Sequence, residues 1–177
     1  MKDIDKLISS SLDSRLSIDE YKFFKEIYDE SLNRSKLNIE IKRIDELKDW
    51  EYIENSLKHY TGRFFSIKAI NVVINDKEWS QPIIDQPEIG FLALLGTIRN
   101  DRLEFLVQLK VEPGNINCIQ LSPTIQATKS NLDNVHKGER VRFIELIKNK
   151  SEKDEILLDS ELSEQNSKFL RKTNRNI

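Results

Sequence analysis

The chain is poor in cysteine: Cys118 stands alone among 177 residues. No internal disulfide can form, and Cys118 reads as a small core residue rather than a nucleophile, because no histidine lies near it in sequence. Histidine is almost as scarce. His59 and His136 are too few for a histidine-rich metal centre. A basic block is also missing: 28 Lys and Arg are interleaved with 30 Asp and Glu, for a net charge of −2. Without clustered cations to neutralise successive phosphates, nucleic acid is not an expected partner. Long apolar runs are lacking as well. The longest, "FLALL" at 91–95, is too short to span a bilayer. The opening "MKDIDKLISSSLDSRL" mixes charge with apolar residues and has no apolar h-region. A cytoplasmic protein with no membrane partner is the expectation.

Charge itself runs short in one place. The stretch "EPGNINCIQLSPTIQATKSN" at 112–131 holds only Glu112 and Lys129, although 33% of the chain is charged. At that average it would carry about six or seven charges. Neutral donors and acceptors at such density suit a site better than a solvated face.

What is present describes one globular α+β domain. Ser17 and Glu20 form a capping box, after which Tyr21, Phe24, Ile27, Tyr28 and Leu32 recur at helical spacing. Leu47, Trp50, Ile53 and Leu57 predict a second helix after Asp45, ended by Gly62, with Trp50 as a core anchor. From Arg63 the texture is β. "RFFSIKAINVVI" closes on the turn "ND" at 75–76, and the Gln-Pro pairs of "SQPIIDQPEIG" favour extended backbone. "FLALLGTI" reads as a buried strand, joined through "RND" at 99–101 to "RLEFLVQLKVEP" in a hairpin. Period two puts Leu103, Phe105, Val107, Leu109 and Val111 on one face of that second arm, and Glu104, Leu106, Gln108, Lys110 and Glu112 on the other. Further on, "GERVRFIELIKNK" fits strand or helix, "EILLD" a short strand, and "SELSEQNSKFLRKTNRN" a cap at Ser163 leading into a basic helix.

Five blocks in order, "HYTGRFFSI", "WSQPIIDQPEIG", "KVEPGNIN", "QLSPTIQATKSN" followed by "VH", and the closing "SEQNSKFLRKTNRN", make the chain resemble the sugar-nucleotide 2,3-dehydratases of deoxysugar biosynthesis. The resemblance covers roughly residues 40–177 and implies a Nudix-like mixed sheet flanked by helices. The corresponding division is a helical segment at 1–38 and a dehydratase repeat at 39–177. Members of the family usually carry two related repeats, of which this chain resembles the first. Either the chain is a fragment of such a tandem or two copies associate to imitate it, and a homodimer is the expected assembly. The glutamate-rich metal-binding helix of Nudix hydrolases is not found, which disfavours metal-dependent diphosphate hydrolysis.

The resemblance implies a dTDP-4-keto-6-deoxyhexose as substrate. Its C3 proton lies α to the C4 ketone. Removing it gives an enolate, and loss of the C2 hydroxyl gives an enol that tautomerises to a 3,4-diketo sugar, with neither a hydride cofactor nor a metal required. The protein must supply a base, a group at the enolate oxygen and an acid for the departing hydroxide. Glu112 is a candidate base with Lys110 as the cation near the C4 oxygen, Glu88 and His136 are competing bases, and His136 can also serve as the acid. The sequence does not separate Glu88 from Glu112. Gln120, Ser122, Thr124, Gln126, Thr128, Ser130 and Asn131 would line a pocket for the neutral base and sugar edges, joined by Gln86, Gln108, Gly114 and Asn115. Arg63 and Lys129 would meet the diphosphate. A nucleotide-sugar-binding half-domain that needs a partner repeat for turnover is the alternative reading.

Overall fold

The structure, a computed structural model, describes residues 4–132, 140–149 and 151–177. Its order is α1 (Ile4–Asp13), α2 (Ile18–Arg34), a 3-10 turn (Ile44–Glu46), β1 (Trp50–Ile53), β2 (Ser56–His59), β3 (Ser66–Ile74), β4 (Lys77–Asp85), β5 (Gly90–Ala93), β6 (Leu95–Arg99), β7 (Arg102–Leu106), β8 (Gln108–Val111), β9 (Ile119–Ser122), β10 (Ile125–Thr128), α3 (Lys129–Leu132), α4 (Ile144–Lys148), β11 (Ser160–Ser163) and β12 (Thr173–Asn176). This is an α+β fold. The strands form two four-stranded sheets, ordered β1-β2-β3-β4 and β10-β5-β12-β11, and two hairpins, β6-β7 and β8-β9. No helix among the described residues is long and apolar enough to cross a membrane.

The chain divides into two compact units. The first comprises residues 1–40, 92–126 and 142–150. Its buried side chains include Leu7, Ala93, Ile119, Thr124, Ile125 and Ile144. Helix α2 begins at the expected capping box, where the Ser17 amide donates to Glu20 Oε2 at 2.7 Å and the Glu20 amide to Ser17 Oγ at 3.1 Å. None of its side chains is buried, and Tyr21, Phe24, Ile27 and Leu32 stay exposed. Helix α1 is tied to β7 through Ser11, whose Oγ accepts the Leu103 amide at 2.8 Å and donates to the Leu7 carbonyl at 2.8 Å. The β6-β7 hairpin turns at Asn100 and Asp101, both in the left-handed region, as a tight two-residue turn demands.

The second unit comprises residues 41–91, 127–141 and 151–177. The helix expected after Asp45 is a correction. Only the short 3-10 turn forms there, followed by the β1-β2 hairpin, in which Trp50 faces His59 and Tyr52 faces Leu57. Glu54 and Asn55 both take positive φ, so the two-residue turn decides against the helical spacing. Trp50 is half-buried, its ring 5.0 Å from that of Phe65. Strands β3 and β4 pair along their whole length, turning at Asn75 with φ 53°.

Four further expectations give way. "FLALLGTI" is two strands, β5 and β6, separated at Leu94, and β6 is mostly exposed. The long arm at 102–112 breaks at Val107 into β7, paired with β6, and β8, paired with β9, so its alternating faces are not continuous. "EILLD" is irregular, with strand beginning only at Ser160. The closing segment contains no helix: β11 and β12 pair antiparallel from Ser160 opposite Asn176 to Ser163 opposite Thr173. Bidentate pairing of Arg175 to Asp159, at 2.8 and 2.6 Å, holds the outer side of this hairpin.

Candidate functional site

In the second unit, the closing segment lies along the end of β4. The Ile84 amide donates to the Lys168 carbonyl and the Leu170 amide to the Ile84 carbonyl, both at 2.8 Å, around a parallel bridge between Ile84 and Phe169. Gln81 Nε2 adds a bond to the Ser167 carbonyl at 2.9 Å. This docking brings Lys172 and Asn174 to the segment at 86–90. Lys172 and Asn174 retain only 6% and 8% of their exposure, which is unusual for side chains of these types. Lys172 Nζ donates to the Glu88 carbonyl. The Glu164 amide donates to the Lys172 carbonyl at 2.9 Å, and Asn174 Nδ2 to Glu164 Oε2 at 2.5 Å. Burial pulls the Lys172 ammonium below the ordinary lysine range, while the Glu88 and Glu164 carboxylates pull it back.

Gly90 completes this node. A Cβ there would sit 2.1 Å from Asn174 Oδ1, closer than any real contact. The glycine of "QPEIG" is thus needed for the approach of the closing strand. Glu88 and Gln86 are half-buried beside it.

Arg63 sits in the same unit, exposed in the loop between β2 and β3 beside Phe64. His59 Nδ1 bonds Thr61 Oγ1 at 2.7 Å, and that oxygen accepts the Arg63 amide at 3.3 Å. The rings of His59 and Phe64 lie 4.9 Å apart. Phe64 is 68% exposed and takes a φ of 74°, a conformation a bulky residue rarely holds. Thr128, half-buried, ends β10, and Asn131 is exposed in α3. His136 and the side chains of Lys129 and Ser130 lie outside the described residues.

The first unit holds the other candidates. Lys110 Nζ donates to the Gln126 carbonyl at 3.1 Å, and Lys110 pairs with Gln120 across β8-β9. Gln108 Nε2 donates to the Thr124 carbonyl at 2.5 Å. Thr124 is fully buried: its Oγ1 accepts the Leu95 amide at 2.9 Å and donates to the Leu106 carbonyl. Asn115 Nδ2 spans the carbonyls of Lys110 and Cys118 at 3.0 and 3.3 Å, bracing the turn that follows β8. Glu112, Gly114, Gln120 and Gln126 are exposed, and Ser122 is half-buried. Nothing lies within 4 Å of where a Gly114 Cβ would stand, so that backbone is open to approach. Cys118 is half-buried with φ 64°.

Several amides and hydroxyls of 108–126 therefore brace turns and strands of their own unit. Sequence reasoning missed Lys172, Asn174 and Glu164. No local signal marked them: in "LRKTNRN", read as a basic helix, Lys172 and Asn174 are buried while Arg171 and Arg175 stay exposed. Among the described residues no group of three or more His, Cys, Asp or Glu side chains is placed to hold a metal ion.

Comparison with known proteins accounts for these blocks. The sequence model of the family NDP-hexose 2,3-dehydratase matches residues 22–177. The chain is similar to the dTDP-4-dehydro-6-deoxy-alpha-D-glucopyranose 2,3-dehydratase of Amycolatopsis orientalis, 41% identical over 142 residues, spanning 75% of this chain and 30% of that protein. Enzymes of the same name from Streptomyces violaceoruber and Saccharopolyspora spinosa are 41% and 38% identical over 139 and 138 residues, covering 76% and 75% of this chain and 31% and 28% of theirs. The chain thus spans under a third of the length of these relatives. With a family match over nearly all its residues, the chain belongs to the NDP-hexose 2,3-dehydratase family.

Proposed function

We propose that the chain contributes to a 2,3-dehydratase acting on a dTDP-linked 4-keto-6-deoxyhexose, in which Glu88 takes the C3 proton and the C2 hydroxyl then leaves. The observation that carries this assignment is the polar node at 86–90, where Glu88 is half-buried with the Lys172 ammonium beside it. Glu112, by contrast, is exposed in a turn, and its candidate partner Lys110 is engaged with the Gln126 carbonyl. A base works best in a partly desolvated setting that holds it in one place, which favours Glu88. Arg63, exposed on the loop between β2 and β3, is the proposed donor to the diphosphate, since its planar fork matches phosphate oxygens. Gln86, Thr128 and Asn131 are proposed contacts for the neutral parts of the ligand.

Proton NMR in deuterated buffer with dTDP-4-keto-6-deoxyglucose tests this. The C3 signal is expected to disappear, followed by loss of the hydroxyl at C2. Glu88→Gln is expected to slow exchange by roughly 100-fold or more, the usual contribution of a general base. Full exchange in Glu88→Gln together with loss in Glu112→Gln would transfer the role to Glu112.

The second reading is a binding half that needs a partner repeat, favoured by the apolar side chains that α2 leaves exposed. It predicts dTDP binding without C3 exchange. The exposed apolar stripe of α2 supports self-association as one source of that partner. Light scattering across a concentration series is expected to show a dimer, and Phe24→Glu to weaken it.

A further inference from the structure

A lysine is rarely buried unless its charge is met, because desolvating an ammonium is costly. Lys172 is buried, and it arrives there on a segment whose inward positions are polar: Lys172 and Asn174 point in, while Arg171 and Arg175 stay exposed. A strand built only for packing would place apolar residues at such positions. The inward polar groups instead reach particular partners. Lys172 Nζ meets the Glu88 carbonyl, Asn174 Nδ2 meets Glu164 Oε2 at 2.5 Å, and Gly90 leaves the room that Asn174 Oδ1 occupies. Among the described residues no buried side-chain nitrogen or oxygen lacks a partner. The node is complete.

Its location is the informative part. The segment at 86–90 joins β4 to the start of β5 at Gly90 and carries the carboxylate proposed as the base. Segments between strands move more readily than the strands they join. The anchors across this one come from the closing block, through Ser167 and Lys168 on β4 and through Lys172 on Glu88 itself.

We infer that Lys172 is a positioning residue: its ammonium clamps the 86–90 segment by the Glu88 carbonyl and keeps a positive charge within reach of the Glu88 and Glu164 carboxylates. The catalytic half of this inference rests on the reading of Glu88 as base; the clamp does not. A displacement of about 1 Å in a reacting group can lower a rate by roughly 100-fold, so a clamp on a base acts on turnover more than on binding. Lys172 does not touch substrate in this account.

The test compares the 15N-labelled wild-type chain with Lys172→Met and with Lys172→Gln, which keeps a donor for the Glu88 carbonyl. Amide hydrogen exchange is followed at Glu88, Ile89 and Gly90, with the β3 amides as internal reference, alongside kcat and KM for C3 proton exchange. In Lys172→Met the 88–90 amides are expected to exchange at least about tenfold faster with β3 unchanged, kcat to fall roughly 10- to 100-fold, and KM to stay within about threefold. Lys172→Gln is expected to fall between that variant and wild type. Should Lys172→Met not fold, Lys172→Gln is read by the same criteria. Unchanged protection at 88–90 overturns the clamp, and so does loss of protection throughout β3 in both variants, which makes Lys172 a general packing residue. Faster exchange at 88–90 with kcat intact overturns the positioning role. A wild-type chain that never exchanges C3 removes the reading of Glu88 as base, and the amide data still decide the clamp.

Discussion

Thr124 was expected to line a ligand pocket, and the structure gives it work inside its own unit that can be measured. Its Oγ1 accepts the Leu95 amide at 2.9 Å and donates to the Leu106 carbonyl, at a residue with no exposed surface. Thr124→Val keeps the shape and removes both bonds. The Leu95 amide then loses its acceptor, and a buried donor left without one costs about 1–3 kcal/mol. Losing the Leu106 bond adds about 0.5–1.5 kcal/mol, smaller because Leu106 is 38% exposed and water can reach it. A total near 3 kcal/mol corresponds to a fall in Tm of roughly 6–12 °C for a chain of this size. Thr124→Ser keeps the hydroxyl and loses a methyl group, for about 1 kcal/mol. Urea unfolding followed by circular dichroism gives both values. If Thr124→Val is no less stable than Thr124→Ser, the hydroxyl is not bracing the backbone. If it is equally stable and binds dTDP more weakly, the hydroxyl belongs to the ligand and the reasoning fails.

Gly90→Ala is expected to destabilise by about 1–3 kcal/mol, since Asn174 Oδ1 cannot swing away without leaving Glu164, and Asn174→Ala in the same chain should relieve much of that loss; denaturant midpoints of the two single variants and the double variant measure the coupling. Lys172 is held below its ordinary pKa in the folded chain, so the unfolded chain binds its proton more tightly, and stability should rise with pH between the lowered folded value and the ordinary lysine value. That rise should be absent from Lys172→Met when unfolding is measured across alkaline pH. Glu20 is lowered by its bond to the Ser17 amide, so the helix support it gives is present above the ordinary glutamate range and is lost as pH falls through the lowered value. Helical circular dichroism should therefore drop further on acidification in wild type than in Glu20→Gln.

The parts of the fold legible in the sequence are those fixed by neighbours in the chain. The capping box at Ser17 and Glu20 needs only three residues of spacing, and the turns at 75–76 and 100–101 need only residues that tolerate positive φ. The failures share a cause. Leu47, Trp50, Ile53 and Leu57 fit a helix by spacing, and the left-handed pair Glu54 and Asn55 makes them a hairpin instead. The segment at 167–176 is basic enough to suggest a helix, yet its conformation is set by β11 and by the end of β4, which lies about 85 residues away in sequence. Long-range pairing of that kind leaves little trace in local periodicity.

The same distinction applies to the site. Neutral polar density at 112–131 was legible, but density does not say whether an amide faces a ligand or a neighbouring carbonyl. Gln108, Asn115 and Thr124 are seen to bond backbone of their own unit. The pairing of "QPEIG" with "RKTN" could not be read at all, because it depends on one atom of Asn174 occupying the space a Gly90 side chain would need. Two of the blocks that carried the family resemblance therefore meet at a single buried node. The closing block, which contributed no candidate residue from sequence, holds the segment that carries Glu88. On the proposed reading of Glu88 as the base, substitutions in that block should lower turnover without contact to substrate, most strongly at Lys172, where the buried charge and the Glu88 carbonyl meet.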